Sequence, residues 1–375
     1  APQVFLATSA AGATRTVRLW YRFPGDTAWR SSPVPVATMP LEITHLAVLP
    51  NGRLIGATRP YGDMFTFDPA TGQRTVLGEP THISIYSLLL EEDRLYFSGS
   101  PSAPLCRYDL ARPWTFGKGM PVAKWPDAES ELSNPRRLTT LGDKFGIHYA
   151  LYLARDAQGR ITVGGHAERS RVGGALAVYD PVTEAVTGIG APALTNYDCT
   201  GLAATRDGRF IVYSSKVVTD PANPAATPAV AKLFVYDPAA GRFVKEWTPL
   251  PGSKSTGLLA TGAPGQVVGM ARVGSSLQLY ALEVSSGRIV WQRTVEGNLP
   301  GVGYLRSVFR PGPDGQLWTY LLQRLGNPLV RIDPTTGAVS EVGQMSGPLG
   351  EMAFVGRDLY LAGARSLRRI RAVVP

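Results

Sequence analysis

Four residues suited to moving protons or holding anions stand at one recurring position along the chain. His45, Tyr86, Tyr149 and Arg306 each sit where an apolar stretch begins, upstream of a tight turn, and Thr200, Thr256 and Gly350 fill that place in other copies. One residue earlier come His148, Cys199 and Ser255. Histidine titrates near neutral pH and can accept a proton. A tyrosine beside arginines has its phenolate favoured and can give or take one. Arginine grips a planar carboxylate through two parallel hydrogen bonds. A second group comes after the next apolar stretch: Arg59 and Tyr61 with Asp63 in RPYGD, and His166, Arg169 and Arg171 with Glu168 in HAERSR. Lys216, Arg272 and Arg324 hold the matching places further on. Most of these groups are cationic, so together they must be solvated, paired or offset by an anionic ligand.

The elements that would gather them are written as a repeat. A short apolar strand, a Gly-centred turn, a second strand and a third closing on Asp-Pro-x-x-Gly occur as LAVLPNGRLIGA…MFTFDPATGQ (46–73) and LYLARDAQGRITVGG…ALAVYDPVTEA (151–185). The phrase returns as GLAATRDGRFIVYS…KLFVYDPAAGR (201–242) and SVFRPGPDGQLWTYL…LVRIDPTTGAV (307–339), with weaker copies at 87–110, 257–288 and 352–371. Such a unit is a four-stranded antiparallel blade, and an array of blades is a β-propeller. The expected fold is therefore all-β, one seven-bladed propeller domain over residues 1–375. In it the first strand of every blade lines the central channel, and the proposed residues collect at its mouth. Six blades have their own first strand. The seventh is expected to be closed by C-terminal strands together with an N-terminal strand from residues 4–36; were 4–36 a blade of their own, the count would be eight.

The turns account for the repeated aspartates. Asn51-Gly52, Asp207-Gly208 and Asp314-Gly315 read as hairpin turns. Asp68, Asp180, Asp237 and Asp333, each before proline, read as structural acceptors for turn amides. Residues 111–148 break the rhythm and are too long for an inter-blade turn; with Trp114, Trp125, Arg136 and Arg137 they are expected to wall a cleft.

Composition narrows the partners. A net charge of +9 points to an anionic partner. No basic run with interleaved aromatics and no nucleic-acid motif occurs, which disfavours nucleic acid. No apolar run is long enough for a membrane helix. Cys106 and Cys199 fall in non-adjacent blades and read as buried thiols. The Ala-Pro-Gln start suggests a mature chain after signal removal, hence a secreted or periplasmic protein, expected as a monomer. Neither a zinc nor a calcium motif is present, though His45, His148 and His166 could meet around the channel, and no cofactor is expected. Paired carboxylates of the glycosidase kind are poorly represented, with Asp63, Glu168, Asp198 and Glu351 the candidates. YALEVSSGRIVWQ (280–292) is similar to one unit of the quinoprotein dehydrogenase propellers, but it occurs once and does not imply quinone binding.

By these blades the chain resembles extracytoplasmic bacterial seven-bladed propellers. The stretch NPRRL…HYALYLARDAQGRITVGGHAERSRVGGALAVYDP (134–181), preceded by YDLARPW (108–114), is similar to secreted propellers found alongside carbohydrate-degrading enzymes. Seven-bladed propellers include polysaccharide lyases that cleave next to a uronic acid with His, Tyr and Arg on the channel face. That resemblance implies β-elimination on an anionic polysaccharide or oligosaccharide. It would take His45 as base, Tyr86 or Tyr149 as acid, and Arg306 with Arg59 or Arg169 as carboxylate clamp. The alternatives are a non-catalytic glycan- or protein-binding propeller using the same basic face and, behind it, a metal-dependent lactonase or hydrolase, which would need more inward acids.

Overall fold

The computed structural model describes residues 3–11, 14–34, 42–59, 62–81, 84–100, 102–116, 133–167, 173–189, 192–296, 309–321, 326–346, 350–363 and 366–374. Seven antiparallel blades succeed one another from residue 42 onward, the fourth and fifth joined in one eight-stranded sheet. The first holds β4 (Glu42–Val48), β5 (Leu54–Arg59), β6 (Met64–Phe67) and β7 (Arg74–Gly78). The second holds β8 (Ile85–Glu91), β9 (Arg94–Gly99), β10 (Pro104–Asp109) and β11 (Arg136–Thr140). A short helix, α1 (Leu141–Phe145), leads into the third: β12 (Ile147–Arg155), β13 (Ile161–Ala167), β14 (Gly174–Tyr179) and β15 (Val186–Ile189). The fourth comprises β16 (Tyr197–Ala204), β17 (Ile211–Val217), β18 (Leu233–Asp237) and β19 (Arg242–Trp247). The fifth comprises β20 (Ser255–Thr261), β21 (Gln266–Val273), β22 (Ser276–Glu283) and β23 (Ile289–Val295). The sixth is β24 (Arg310–Pro311), β25 (Leu317–Tyr320), β26 (Asn327–Ile332) and β27 (Val339–Met345). The seventh has three strands, β28 (Met352–Val355), β29 (Asp358–Ala362) and β30 (Leu367–Ile370).

Burial shows how they stand. Among the described residues there are seven apolar clusters, and each joins two consecutive sheets, the last uniting Leu46, Leu54 and Phe65 of the first sheet with Ala353, Tyr360 and Ala362 of the seventh. A cavity of about 130 Å³ is lined by residues at the inner strand of all seven, from His45 to Glu351. The chain is a β-propeller, and the ring closes directly between its first and seventh sheets. The N-terminal strands β1 (Gln3–Ala11), β2 (Thr14–Arg22) and β3 (Arg30–Val34) pair with one another as a sheet of their own. The expected N-terminal contribution to the seventh blade is not among the strand pairings of the described residues.

The turn aspartates act as acceptors. Asp68 Oδ1 takes the amides of Ala70 (2.8 Å) and Thr71 (3.3 Å), and Asp180, Asp237 and Asp333 repeat the arrangement. Those amides hold the Asp68, Asp180 and Asp333 carboxyls below the usual carboxylate range. The turn ends on a left-handed residue, glycine at Gly72, Gly241 and Gly337. At Gly337 a second constraint applies. Trp291 from the preceding blade lies flat on it, donates Nε1–H to the Pro334 carbonyl at 3.0 Å, and would stand 2.5 Å from any Cβ placed there. Trp247 covers Gly287 in the same way one blade earlier.

Residues 111–148 distribute differently from the expectation. Arg136–Thr140 forms the outer strand of the second blade, and Arg136 pairs with Glu184 of the third (Nη2 to Oε2, 2.6 Å). Trp114 is buried against Tyr108, with ring centroids 4.9 Å apart. These side chains close the outer flank of two blades instead of walling a cleft; Trp125 lies outside the described residues. Both cysteines are buried, unpaired thiols.

Two alanine substitutions separate the turn's needs. Gly241→Ala, with open space at the Cβ position, should cost only the left-handed penalty of about 1–2 kcal/mol. Gly337→Ala should lose about 1–3 kcal/mol more because Trp291 must shift. Urea unfolding midpoints with unchanged m-values would show the difference, and equal losses would deny the Trp291 contact its role.

Candidate functional site

The channel-side strands are not regular. β4, β8, β12, β16 and β20 each lose register with their neighbour at least once, so an extra residue bulges from the ladder. Tyr86 is such a residue between Ile85 and Ser87, and His148 is another between Ile147 and Tyr149. A bulge redirects a side chain without ending the strand. Gly165 permits the close approach beneath this one, since a Cβ there would overlap the Tyr149 carbonyl.

Tyr149 becomes the centre of an aromatic group spanning two blades. Its ring meets Tyr86 edge-on at 5.2 Å between centroids, His148 at 4.2 Å and His166 at 6.3 Å. His166 lies opposite Tyr149 on β13 and crosses to the next blade, where its Nδ1 is 3.3 Å from Asp198 Oδ2. Lys216, the register partner of Asp198, places Nζ 3.7 Å from the same oxygen. Asp198 Oδ1 accepts the Cys199 amide at 3.2 Å. Six polar or aromatic side chains thus form one connected chain across the second, third and fourth blades.

Burial decides the charges. It lowers His166 to about 4, helped by the Lys216 cation and by His148 and opposed by a backbone hydrogen bond at Cys199. It raises Asp198 to about 6, against the pull of Lys216. The pair therefore loses one proton near pH 6, leaving a neutral imidazole beside a carboxylate. With its Nδ1 3.3 Å from that carboxylate, the ring can take up a further proton whose charge Asp198 would offset.

His45 is placed elsewhere. It is 3% exposed inside the central cavity, and its Nδ1 lies 3.2 Å from the Thr44 hydroxyl. Near it the cavity is crossed by Arg310 and Glu351, joined through Nε–Oε1 at 2.9 Å and Nη2–Oε2 at 2.6 Å. Glu351 is only 2% exposed, so this bidentate pair ties the sixth blade to the seventh. Arg59 is engaged by Glu42. Arg272 is exposed, in register with Ser255. Thr200 and Thr256 are buried and join blades four and five: the Thr200 hydroxyl bonds the Thr256 carbonyl, and the Thr256 hydroxyl donates to the Ser215 carbonyl at 3.0 Å. Tyr61, Arg169, Arg171, Arg306 and Arg324 lie outside the described residues.

The structure thus brings together Tyr86, Tyr149, His148, His166 and Lys216, and holds His45 and Arg59 in other settings. Sequence reading undervalued Asp198, weighed only as a glycosidase carboxylate, and overlooked Arg310. Its place two residues before Thr200 put Asp198 near the channel mouth, but its contact with His166 joins two blades. Among the described residues, no group of three or more His, Cys, Asp or Glu side chains is arranged to hold a metal ion, and no helix is long and apolar enough to cross a membrane.

No protein-family model matches the chain, and no curated protein matches it in sequence. Solved structures do match in fold. A virginiamycin B lyase from Staphylococcus aureus, in a catalytically inactive histidine-to-alanine form with quinupristin, superposes with a TM-score of 0.57 at 11% identity over 89% of this chain and 96% of its own. The Dos1 propeller gives 0.53 at 12% identity over 87% and 78%. The propeller domain of Swd1 (Cps50) from Myceliophteria thermophila gives 0.55 at 10% over 88% and 96%. These likenesses establish the propeller fold.

The opposed shifts of His166 and Asp198 can be checked by pH. The lowered His166 adds stability that is present above pH 6.5 and is lost as pH falls through about 4. The raised Asp198 adds stability present below 3.8 and lost as pH rises through about 6. In the wild type the two oppose each other over one window. Asp198→Asn keeps only the histidine contribution, so its Tm should fall more steeply than the wild type's between pH 6.5 and 4. Parallel Tm profiles would contradict the assignment.

Proposed function

We propose that this propeller is an eliminative lyase acting on an anionic substrate, with uronate-containing polysaccharide or oligosaccharide as the substrate class. The observation that carries the reading is the connected chain Tyr86–Tyr149–His148–His166–Asp198–Lys216 at one mouth of the channel. It contains a proton acceptor, a phenol and a cation, which are the three parts elimination next to a carboxylate needs. The net charge of +9 favours an anionic substrate.

The roles follow from the chemistry. Lys216 faces the substrate carboxylate and offsets the negative charge that builds when the adjacent carbon loses its proton. His166, held by Asp198, takes that proton. The electron pair forms the carbon–carbon double bond as the bond to the glycosidic oxygen breaks, and Tyr149 protonates the departing oxygen. His166 is a better base here than His45, which lies 3% exposed within the cavity. Tyr86 packs edge-on against Tyr149 and positions it. The virginiamycin B lyase superposition supports the reading to the extent that a propeller of this shape carries a lyase activity there and loses it in a histidine-to-alanine variant.

The test is ultraviolet absorbance of the unsaturated uronate during incubation with a panel of uronate-containing polysaccharides. Turnover is expected with at least one member, with an acidic limb near pH 6 set by Asp198. His166→Gln and Tyr149→Phe should each lower kcat by about 10²–10⁴-fold, whereas His45→Gln should retain most of it. Retention of the polysaccharides without any absorbance change would instead identify a binding propeller.

A further inference from the structure

The residues in register beside His166 continue past Lys216. Asp198 is opposite Lys216, Lys216 opposite Ser255, and Ser255 opposite Arg272. Directly opposed residues in an antiparallel sheet project to the same side, so all four stand in one row. The row crosses from the fourth blade to the fifth without leaving the sheet: among the described residues, β17–β20 is the one strand pairing between blades, and it fuses the two into eight continuous strands. The seam is held by Val217 N–H to the Lys254 carbonyl at 2.9 Å and by Thr256 Oγ1, which accepts the Ser215 amide at 3.0 Å. Lys216 and Arg272 lie two strands apart, about 10 Å at ordinary strand spacing. Backbone hydrogen bonds, not loop conformation, set that separation. Both side chains reach solvent, Lys216 being 39% exposed and Arg272 more so.

We propose that Lys216 and Arg272 are two successive anion subsites for a linear polyanion laid across the fourth and fifth blades, taking carboxylates two sugar units apart. One pyranose unit advances a glycan by about one strand spacing, so a carboxylate at Lys216 places the one two sugars along at Arg272, with the intervening sugar crossing strand β20. The direction is also fixed: the chain runs from the Tyr149–His166 end outward over blade five. This assignment rests on the lyase reading only for which end carries the scissile bond. The binding row stands on geometry alone.

The experiment is binding, which needs no turnover. Wild type and variants are titrated calorimetrically at low salt with hyaluronan tetrasaccharide, which has two carboxylates two sugars apart, and with the disaccharide, which has one. Arg272→Gln should weaken the tetrasaccharide by about tenfold, the scale of one charge-assisted contact, and leave the disaccharide unchanged. Lys216→Gln should weaken both. Arg242→Gln, the same charge change on the outer strand β19, should alter neither. The proposal is overturned if Arg272→Gln affects both ligands equally or neither, if Arg242→Gln matches it, or if the wild type binds tetrasaccharide no better than disaccharide. Intact length-dependent binding without cleavage of any uronate polymer would remove the lyase reading and leave this one standing.

Discussion

A propeller blade is apolar on both faces, so it can bury both only by standing between two others, and a row of such blades has no stable end except itself. Everything else in this chain answers to that closure. Seven clusters fill seven seams, and the last, between Phe65 and Tyr360 and their neighbours, brings residues from opposite ends of the ring sequence into one core. The inner strands then have no choice but to face one another around a narrow cavity, and their first residues no choice but to meet at its mouth.

The seams differ in kind. Most are apolar throughout, and at the outer rim a tryptophan of one blade is laid over the turn glycine of the next between blades four and five and between five and six. The seam between blades four and five is polar near the channel, where buried threonines and serines replace hydrocarbon contact with hydrogen bonds. The hydroxyls of Thr200, Ser214 and Thr256 are tolerated there because each has a partner, and the gain is direction: hydrogen bonds fix a register that hydrocarbon packing would let slip. The proposed site sits at the neighbouring seam, where His166 reaches across to Asp198 and each is held in its uncharged direction by the same burial.

The blade architecture was legible because its grammar is local. Asp-Pro-x-x-Gly specifies a turn through one carboxylate and one left-handed residue, and the sequence writes both within five positions. The mouth of the channel was only partly legible because the bulges are not written that way. An inserted residue displaces every later one in the strand by one place, so Thr44, not His45, is the bulged residue of the first blade. In the third blade the bulge at Leu151 moves Tyr149 one position, setting it opposite His166 where an unbroken ladder would give it Ala167. The His166–Asp198 contact was beyond sequence reading for a different reason: it joins residues of two blades, and only the tilt between sheets decides which pairs touch. Arg310 was hidden likewise, since its partner Glu351 belongs to the following blade.

The fused sheet has a mechanical meaning. Among the described residues most seams are held by side-chain contacts, which can slide or part a little as the ring breathes. The seam between blades three and four adds the Ala157 amide on the Gly208 carbonyl at 3.0 Å and the Gly173–Thr195 bridge. The seam at Lys216 and Ser255 carries pairing between two strands of the ring, which couples the tilt of blades four and five, with blade three linked more lightly to them. Any opening of the ring is then shifted away from those blades, toward joints on the far side of the channel. A displacement at Lys216 passes into blade five through backbone pairing as directly as it passes into its own blade.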